Sequence, residues 1–210
     1  MDVPCLPRED ARASAQSLGI GKEENEGTLL AIVNPNKRRE YSMRKVFDAG
    51  NMNNKGICRG WACDWISRSK SGQVVTSRYE LGSGHMVGNL WNTAPDNDGI
   101  DANFGLVSLG RISNISNPIS PNWIATELTK GTGYFLFAVR GKTLNVQTGT
   151  YDGSGHAMAT RKGYGKLQFF DPNLGVLEFD STLEFYDYLP TYIRTTYPDL
   201  LSRQAEIKKF

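Results

Sequence analysis

Short apolar segments follow one another closely through residues 133–179, and they constrain the fold more than any other feature of the sequence. GYFLFAVRG (133–141) is a run of apolar and aromatic residues between glycines, which is typical of a buried strand. HAMATRK (156–162) alternates in character, GKLQFFDP (165–172) ends at a proline, and VLEF (176–179) follows a turn that contains glycine. Short connections join antiparallel strands, so this half of the chain predicts an antiparallel sheet.

Helical patterns flank these strands on both sides. Cys58, Trp61, Ala62 and Trp65 have the spacing of one helical face, and Gly72 is placed to end that helix. DSTLEFYDYLPTYIRTTYP (180–198) predicts a helix capped at its start by Asp180 or Ser181, with a kink or break at Pro190. DLLSRQAEIKKF (199–210) predicts a last helix, whereas NTAPDNDGIDANFG (92–105) predicts a loop. The fold class is therefore α+β.

Length and charge limit the classes of function. The 210 residues are enough for one domain with a proper core. A net charge of +2 is too weak to indicate a nucleic-acid partner, and no apolar stretch is long enough for an integral membrane segment. Residues 1–27 are polar and predict a mobile lead that suits a secretion signal, which leaves residues 28–210 as the catalytic domain. The three cysteines are an odd number, which gives no disulfide framework and favours a reducing compartment. The spacing of Cys58 and Cys63 does not suit a metal site, and no cofactor is expected.

Three residues of this pattern point to nucleophilic catalysis. Cys58 follows Gly56 and Ile57 at the predicted start of a helix, where the helix dipole favours a thiolate. His156 starts a strand after a glycine-rich loop, and Asp171 follows it by 15 positions on the next predicted strand. A strand, a turn and a returning strand would bring this carboxylate beside the imidazole, where it would orient the ring.

Each of these residues also has a structural reading. Cys58 could be a small buried apolar residue, and Asp171 could start a turn before Pro172. His85, in LGSGHMVGN, is the other candidate for the general base, because the chain has only two histidines. We prefer His156, since no suitable aspartate follows His85 in a strand and turn.

The blocks GICRGWACDWI, GHAMA and FFDPNLG resemble three blocks of the YopT/AvrPphB type of bacterial effector cysteine protease, which is papain-like. The resemblance covers about residues 50–180. It implies a papain-like fold, with Cys58 at the start of a helix that packs on an antiparallel sheet carrying His156 and Asp171. It also implies an oxyanion hole completed by a side-chain amide, for which Asn53 is the first candidate and Asn54 the second.

The function that this resemblance implies is hydrolysis of a peptide bond in a target-cell protein. The enzyme would be secreted by a bacterium and act inside the target cell, and an immunity or chaperone protein is a further candidate partner. A glutamine deamidase, a transglutaminase and a cell-wall amidase toxin remain open, because the same three residues serve all of these reactions. A non-catalytic binding module with the same fold is a third hypothesis.

Overall fold

The computed structural model describes residues 30–32, 38–40, 43–48, 57–94, 96–116, 118–145, 150–163, 166–202 and 204–210. The predicted mobile lead at 1–27 and the predicted oxyanion-hole residue Asn53 lie outside the described residues. The predictions made for them therefore stay predictions.

A seven-stranded sheet forms the centre of the described part of the chain. A separate pair, β1 (Leu30–Ile32) and β2 (Arg38–Glu40), precedes it. The strands of the large sheet are β3 (Met43–Asp48), β4 (Gly110–Asn114), β5 (Gly133–Asn145), β6 (Thr150–Lys162), β7 (Leu167–Asp171), β8 (Gly175–Phe179) and β9 (Gln204–Lys209). They lie in the order β3-β8-β7-β6-β5-β9-β4, and every neighbouring pair is antiparallel.

Helices cover both faces of this sheet. They are α1 (Cys58–Lys70), α2 (Gly84–Thr93), α3 (Asn97–Asn103), α4 (Pro121–Thr129) and α5 (Thr182–Thr196). Successive side chains of a strand point to opposite faces. Phe169 accordingly packs in one core with α4 and α5, whereas its neighbour Phe170 packs in the other core with α1. The α+β prediction is confirmed, and the sheet carries His156 on β6 and Asp171 on β7.

Two local predictions need correction. Residues 199–210 do not form a helix, because Gln204–Lys209 is a strand whose backbone pairs with both β4 and β5. The predicted loop at 92–105 contains α3, which is capped by the Asp96 side chain. Pro190 lies inside α5 without splitting it. The predicted N-cap is confirmed, since Ser181 Oγ accepts a hydrogen bond from the Glu184 N–H at 3.1 Å.

Gly141 marks a close approach of β5 to the 3-10 turn Pro198–Ser202. A Cβ atom at position 141 would lie 1.9 Å from the backbone oxygen of Asp199 and 2.7 Å from the Cα of Leu200. We expect Gly141→Ala to lower the free energy of unfolding by about 1–3 kcal/mol, because backbone must shift to admit the methyl group. Urea denaturation measures this change.

Gly163→Ala is the matched control for this substitution. A Cβ atom at position 163 meets nothing within 4 Å, so its effect should stay within about 0.5 kcal/mol. Equal stability of the two variants would contradict the close approach.

Candidate active site

Cys58 is the first residue of α1. Its predecessor Ile57 gives the helix no side-chain cap, and the first turn contains no acidic residue. The positive end of the helix dipole is therefore not offset locally, which favours a thiolate at this position. The side chain is 4% exposed and packs against Ala138 and Ala157. In the structure the Cys58 sulfur is in the disulfide form, so the expectation that the cysteines form no disulfide is wrong for Cys58. Reduction releases the thiol.

The Cys58 sulfur lies directly against strand β6. The backbone N–H of Ala157 donates a hydrogen bond to Cys58 Sγ at 3.3 Å. Ala157 follows His156 in the chain, so the sulfur lies beside the backbone next to the residue that carries the imidazole, although 98 positions separate Cys58 and His156 in sequence. The same cleft is lined by Cys58, Arg59, Asn97, Ala138, Val139, Arg140, Gly155, His156 and Ala157.

His156 and Asp171 form a buried pair. His156 Nε2 lies 2.8 Å from Asp171 Oδ1, and both side chains are fully enclosed. The other ring nitrogen, Nδ1, has no hydrogen-bond partner among the described residues. A carboxylate on Nε2 places the proton there, which leaves the Nδ1 lone pair available to accept a proton.

The Asp171 carboxylate receives donors on both oxygens. The N–H of Asn173 donates to Oδ1 at 2.7 Å, and the hydroxyls of Tyr192 and Tyr197 each donate to Oδ2 at 2.8 Å. Burial alone would raise the pKa of Asp171, but the charge of His156 and these hydrogen bonds outweigh burial, so the pKa is lowered. Asp171 is therefore ionised at neutral pH. The stability that this ionised state contributes is lost only as the pH falls through the lowered pKa.

Cys63, on the same helix, has a different environment. It is buried, and its thiol donates to Asp101 Oδ1 at 3.3 Å. Burial raises the pKa of Cys63 well above its ordinary value, and the charge of Asp101 raises it further. A thiol that stays protonated is a poor nucleophile, and Cys63 therefore serves as the control for Cys58.

A buried ionic cluster lies beside the start of α1. The carboxylate of Asp101 on α3 accepts hydrogen bonds from Arg59 Nε at 3.0 Å, from Arg59 Nη2 at 2.7 Å and from Lys208 Nζ at 2.5 Å. Lys208 also contacts the exposed Asp98. Because Arg59 follows Cys58 directly, these bonds tie the first turn of α1 to α3 and to β9. The pKa of Arg59 is raised although burial alone would lower it, because Asp101 and other nearby groups outweigh burial.

The structure thus brings Cys58 and His156 to one cleft, and Asp171 is buried against His156. His85, the other candidate base, lies in α2 and not on the sheet beside Asp171. Sequence reasoning did not identify Tyr192 and Tyr197, which donate to Asp171, or the Arg59–Asp101 ion pair. The two tyrosines had no signal in the sequence beyond their place in the segment predicted as helix at 180–198.

Comparison with known proteins agrees with this architecture. The fold superposes on the crystal structure of the Pseudomonas avirulence protein AvrPphB with a TM-score of 0.53 and 15% sequence identity, covering 75% of this chain and 93% of that one. This similarity shows the fold, which is papain-like as predicted.

The sequence itself gives a second match. The family model described as Peptidase_C58, Yersinia/Haemophilus virulence surface antigen, matches residues 141–204. The matched range includes His156 and Asp171 but not Cys58. The predicted resemblance to YopT/AvrPphB-type proteases is confirmed by these two findings. No curated protein matches the sequence. None of the described helices is long and apolar enough to cross a bilayer.

Proposed function

We propose that this chain is a papain-like effector protease, with Cys58 as the nucleophile, His156 as the general base and Asp171 as the residue that orients the imidazole. One observation carries the proposal. The sulfur at the tip of α1 accepts from the Ala157 N–H, next to His156. His156 Nε2 is held by Asp171, and Nδ1 has no hydrogen-bond partner within the described part of the chain. The partial family match, which spans both β6 and β7, supports the same assignment.

The first half of the reaction forms a thioester. After reduction, proton transfer from the Cys58 thiol to His156 Nδ1 gives a thiolate and an imidazolium. The thiolate attacks the carbonyl carbon of the scissile amide, and the carbonyl oxygen takes the negative charge. When the C–N bond breaks, the imidazolium gives its proton to the leaving amine, and the acyl group remains on sulfur.

The second half releases the acyl group. His156 Nδ1 takes a proton from a water molecule, which attacks the thioester carbon. The C–S bond then breaks and leaves a carboxylic acid and the Cys58 thiolate. Asp171 stays ionised throughout and stabilises the imidazolium in both halves, as carboxylates do in related triads.

The oxyanion requires donors on the helix side of the cleft. The backbone N–H of Cys58 is one, at the positive end of α1. We assign the second to the side-chain amide of Asn53, on the spacing of papain-like proteases. Removing one such donor typically lowers kcat by about 10²–10³-fold.

The substrate is a protein of the target cell, and the enzyme reaches it after secretion by a bacterium. This part of the proposal rests on the resemblance to virulence effectors. An immunity or chaperone protein is the further partner that this setting implies.

Comparison of wild type with Cys58→Ala in target-cell extract tests the proposal. After reduction, wild type should create new protein N-termini that mass spectrometry detects, and Cys58→Ala should create none. Cys63→Ala should match wild type, because the Cys63 thiol is buried and protonated.

The same mass spectra distinguish the other reactions that a Cys-His-Asp triad can catalyse. A gain of about 1 Da on glutamine, without cleavage, would identify a deamidase, and a glutamine joined to an amine would identify a transglutaminase. An amidase toxin would leave proteins unchanged and release peptides from cell wall. New N-termini produced equally by Cys58→Ala would end the proposal.

A further inference from the structure

The hydroxyl of Tyr197 makes contacts with both members of the His156–Asp171 pair. It donates to Asp171 Oδ2 at 2.8 Å and lies 3.0 Å from His156 Nε2. It also accepts from Asn173 Nδ2 at 3.0 Å. The ring of Tyr197 stacks on the imidazole, with centroids 4.5 Å apart and planes 29° apart. Tyr197 is fully buried.

Tyr192 approaches the same carboxylate without reaching the imidazole. Its hydroxyl donates to Asp171 Oδ2 at 2.8 Å. Its ring meets Tyr197 edge-on, with centroids 6.0 Å apart. Tyr192 and Tyr197 therefore donate the same hydrogen bond to Asp171. Tyr197 also contacts the imidazole of His156.

Burial and the charge of Asp171 determine the protonation states of Tyr192 and Tyr197. Burial raises the pKa of Tyr192 and Tyr197 well above the ordinary value of tyrosine, and the charge of Asp171 raises both further. Both phenols therefore stay neutral. Since each has one proton, and Asp171 accepts it, the Tyr197 oxygen presents a lone pair to His156 Nε2. The Nε2 proton is then shared between Asp171 Oδ1 and Tyr197 Oη.

We propose that Tyr197 is a positioning residue of the active site, whose hydroxyl fixes the Nε2-protonated state and the ring plane of His156 so that Nδ1 is presented to Cys58. This inference rests on the proposed function. An imidazolium that loses the Tyr197 lone pair is less stable, and the thiolate–imidazolium pair becomes less populated below neutral pH.

The rate of Cys58 alkylation by iodoacetamide between pH 5 and 9 tests the inference without a known substrate. The reduced protein is used, and peptide mass spectrometry separates Cys58 from Cys5 and Cys63. We expect Tyr197→Phe to lower the rate at pH 6 by about 10-fold, which is one pKa unit of the ion pair. Tyr192→Phe should lower it by less than about 2-fold, because hydrogen bonds to the imidazole persist.

The two variants form a matched pair. Each removes one donor from the same oxygen of Asp171 and keeps the ring, so their difference reports the contacts that the Tyr197 hydroxyl makes with His156 Nε2 and with Asn173 Nδ2. Of these two, only the first touches the imidazole. The other charged or titratable groups near the cleft are Cys58 and Arg59 on α1 and Arg140 on β5, and neither substitution changes them. Equal pH profiles for Tyr197→Phe and Tyr192→Phe would overturn the inference.

The proposed function fails in a different way. It fails if wild-type Cys58 reacts at pH 6 no faster than a free cysteine, or if His156→Gln leaves that rate unchanged. A second measurement needs no substitution at position 197. In ¹⁵N spectra of wild type, with His85→Gln used for assignment, neutral His156 should have its proton on Nε2. A proton on Nδ1 would also overturn the inference.

Discussion

Replacing His156 with Gln should reduce hydrolysis of the cellular substrate by about 10³-fold or more. General acid–base catalysis by a positioned histidine is worth about 10²–10⁴-fold, and here the same imidazole also generates the nucleophile. Gln still has an amide to offer Asp171, but it has no group that accepts a proton near neutral pH. The effect is measured as the initial rate of cleavage of the substrate protein that is identified by its new N-terminus.

His85→Gln is the matched control, because it removes the only other histidine of the chain. Its rate should stay within about 2-fold of wild type, since the lining of the cleft beside His156 includes no residue of α2. Thermal unfolding of both variants shows whether the fold is intact. A loss caused by His85→Gln but not by His156→Gln would reverse the assignment of the general base.

The sequence predicted the centre of this site because its signals are local. A cysteine at a helix start and a histidine and an aspartate on consecutive strands each have a recognisable setting. Antiparallel pairing of neighbouring strands then brings residues 156 and 171 together without any long-range information. Ser181 was found in the same way, since a capping box spans only four residues.

The parts that were missed depend on distant contacts. Residues 204–209 read as helix because QAEIKK has no strong strand propensity, yet β9 lies between β4 and β5 with both backbone edges paired. The secondary structure of this segment is therefore determined by hydrogen bonds to distant strands and not by its intrinsic propensity. Tyr197 reaches His156 across 41 positions and Lys208 reaches Asp101 across 107, so no local pattern could indicate either contact.

Pro190 lies inside a helix that does not split. A proline inside a helix removes one backbone hydrogen bond, and the sequence therefore predicted a kink or break. In the structure α5 continues through it, and both Pro190 and its neighbour Leu189 are buried. Packing of this helix on the sheet supplies enough contact to keep one continuous element. This continuity also holds Tyr192 and Tyr197 on the same side of the active site.

Replacing Asp101 with Ala should have the largest effect on stability of any substitution described above. It leaves Arg59 and Lys208 buried without the carboxylate that both contact, and Lys208 is 0% exposed. Removing one member of a buried ion pair typically costs about 3–5 kcal/mol. We expect the low end of this range, because Arg59 keeps Glu206 at 3.6 Å and Lys208 keeps the exposed Asp98. Urea denaturation at neutral pH should show a lower midpoint with a similar m-value.

Asp98→Ala is the matched control, because it removes an exposed carboxylate from Lys208 instead of a buried one. Asp98 also contacts Lys208, but its side chain is 63% exposed, and the bond is screened by solvent. Its loss should cost less than about 1 kcal/mol. Because Arg59 follows Cys58, the proposed nucleophile, Asp101→Ala should also slow Cys58 alkylation under conditions where the variant is still folded. Equal stability of the Asp98 and Asp101 variants would mean that the buried carboxylate does not hold the start of α1, and Cys58 would need another anchor.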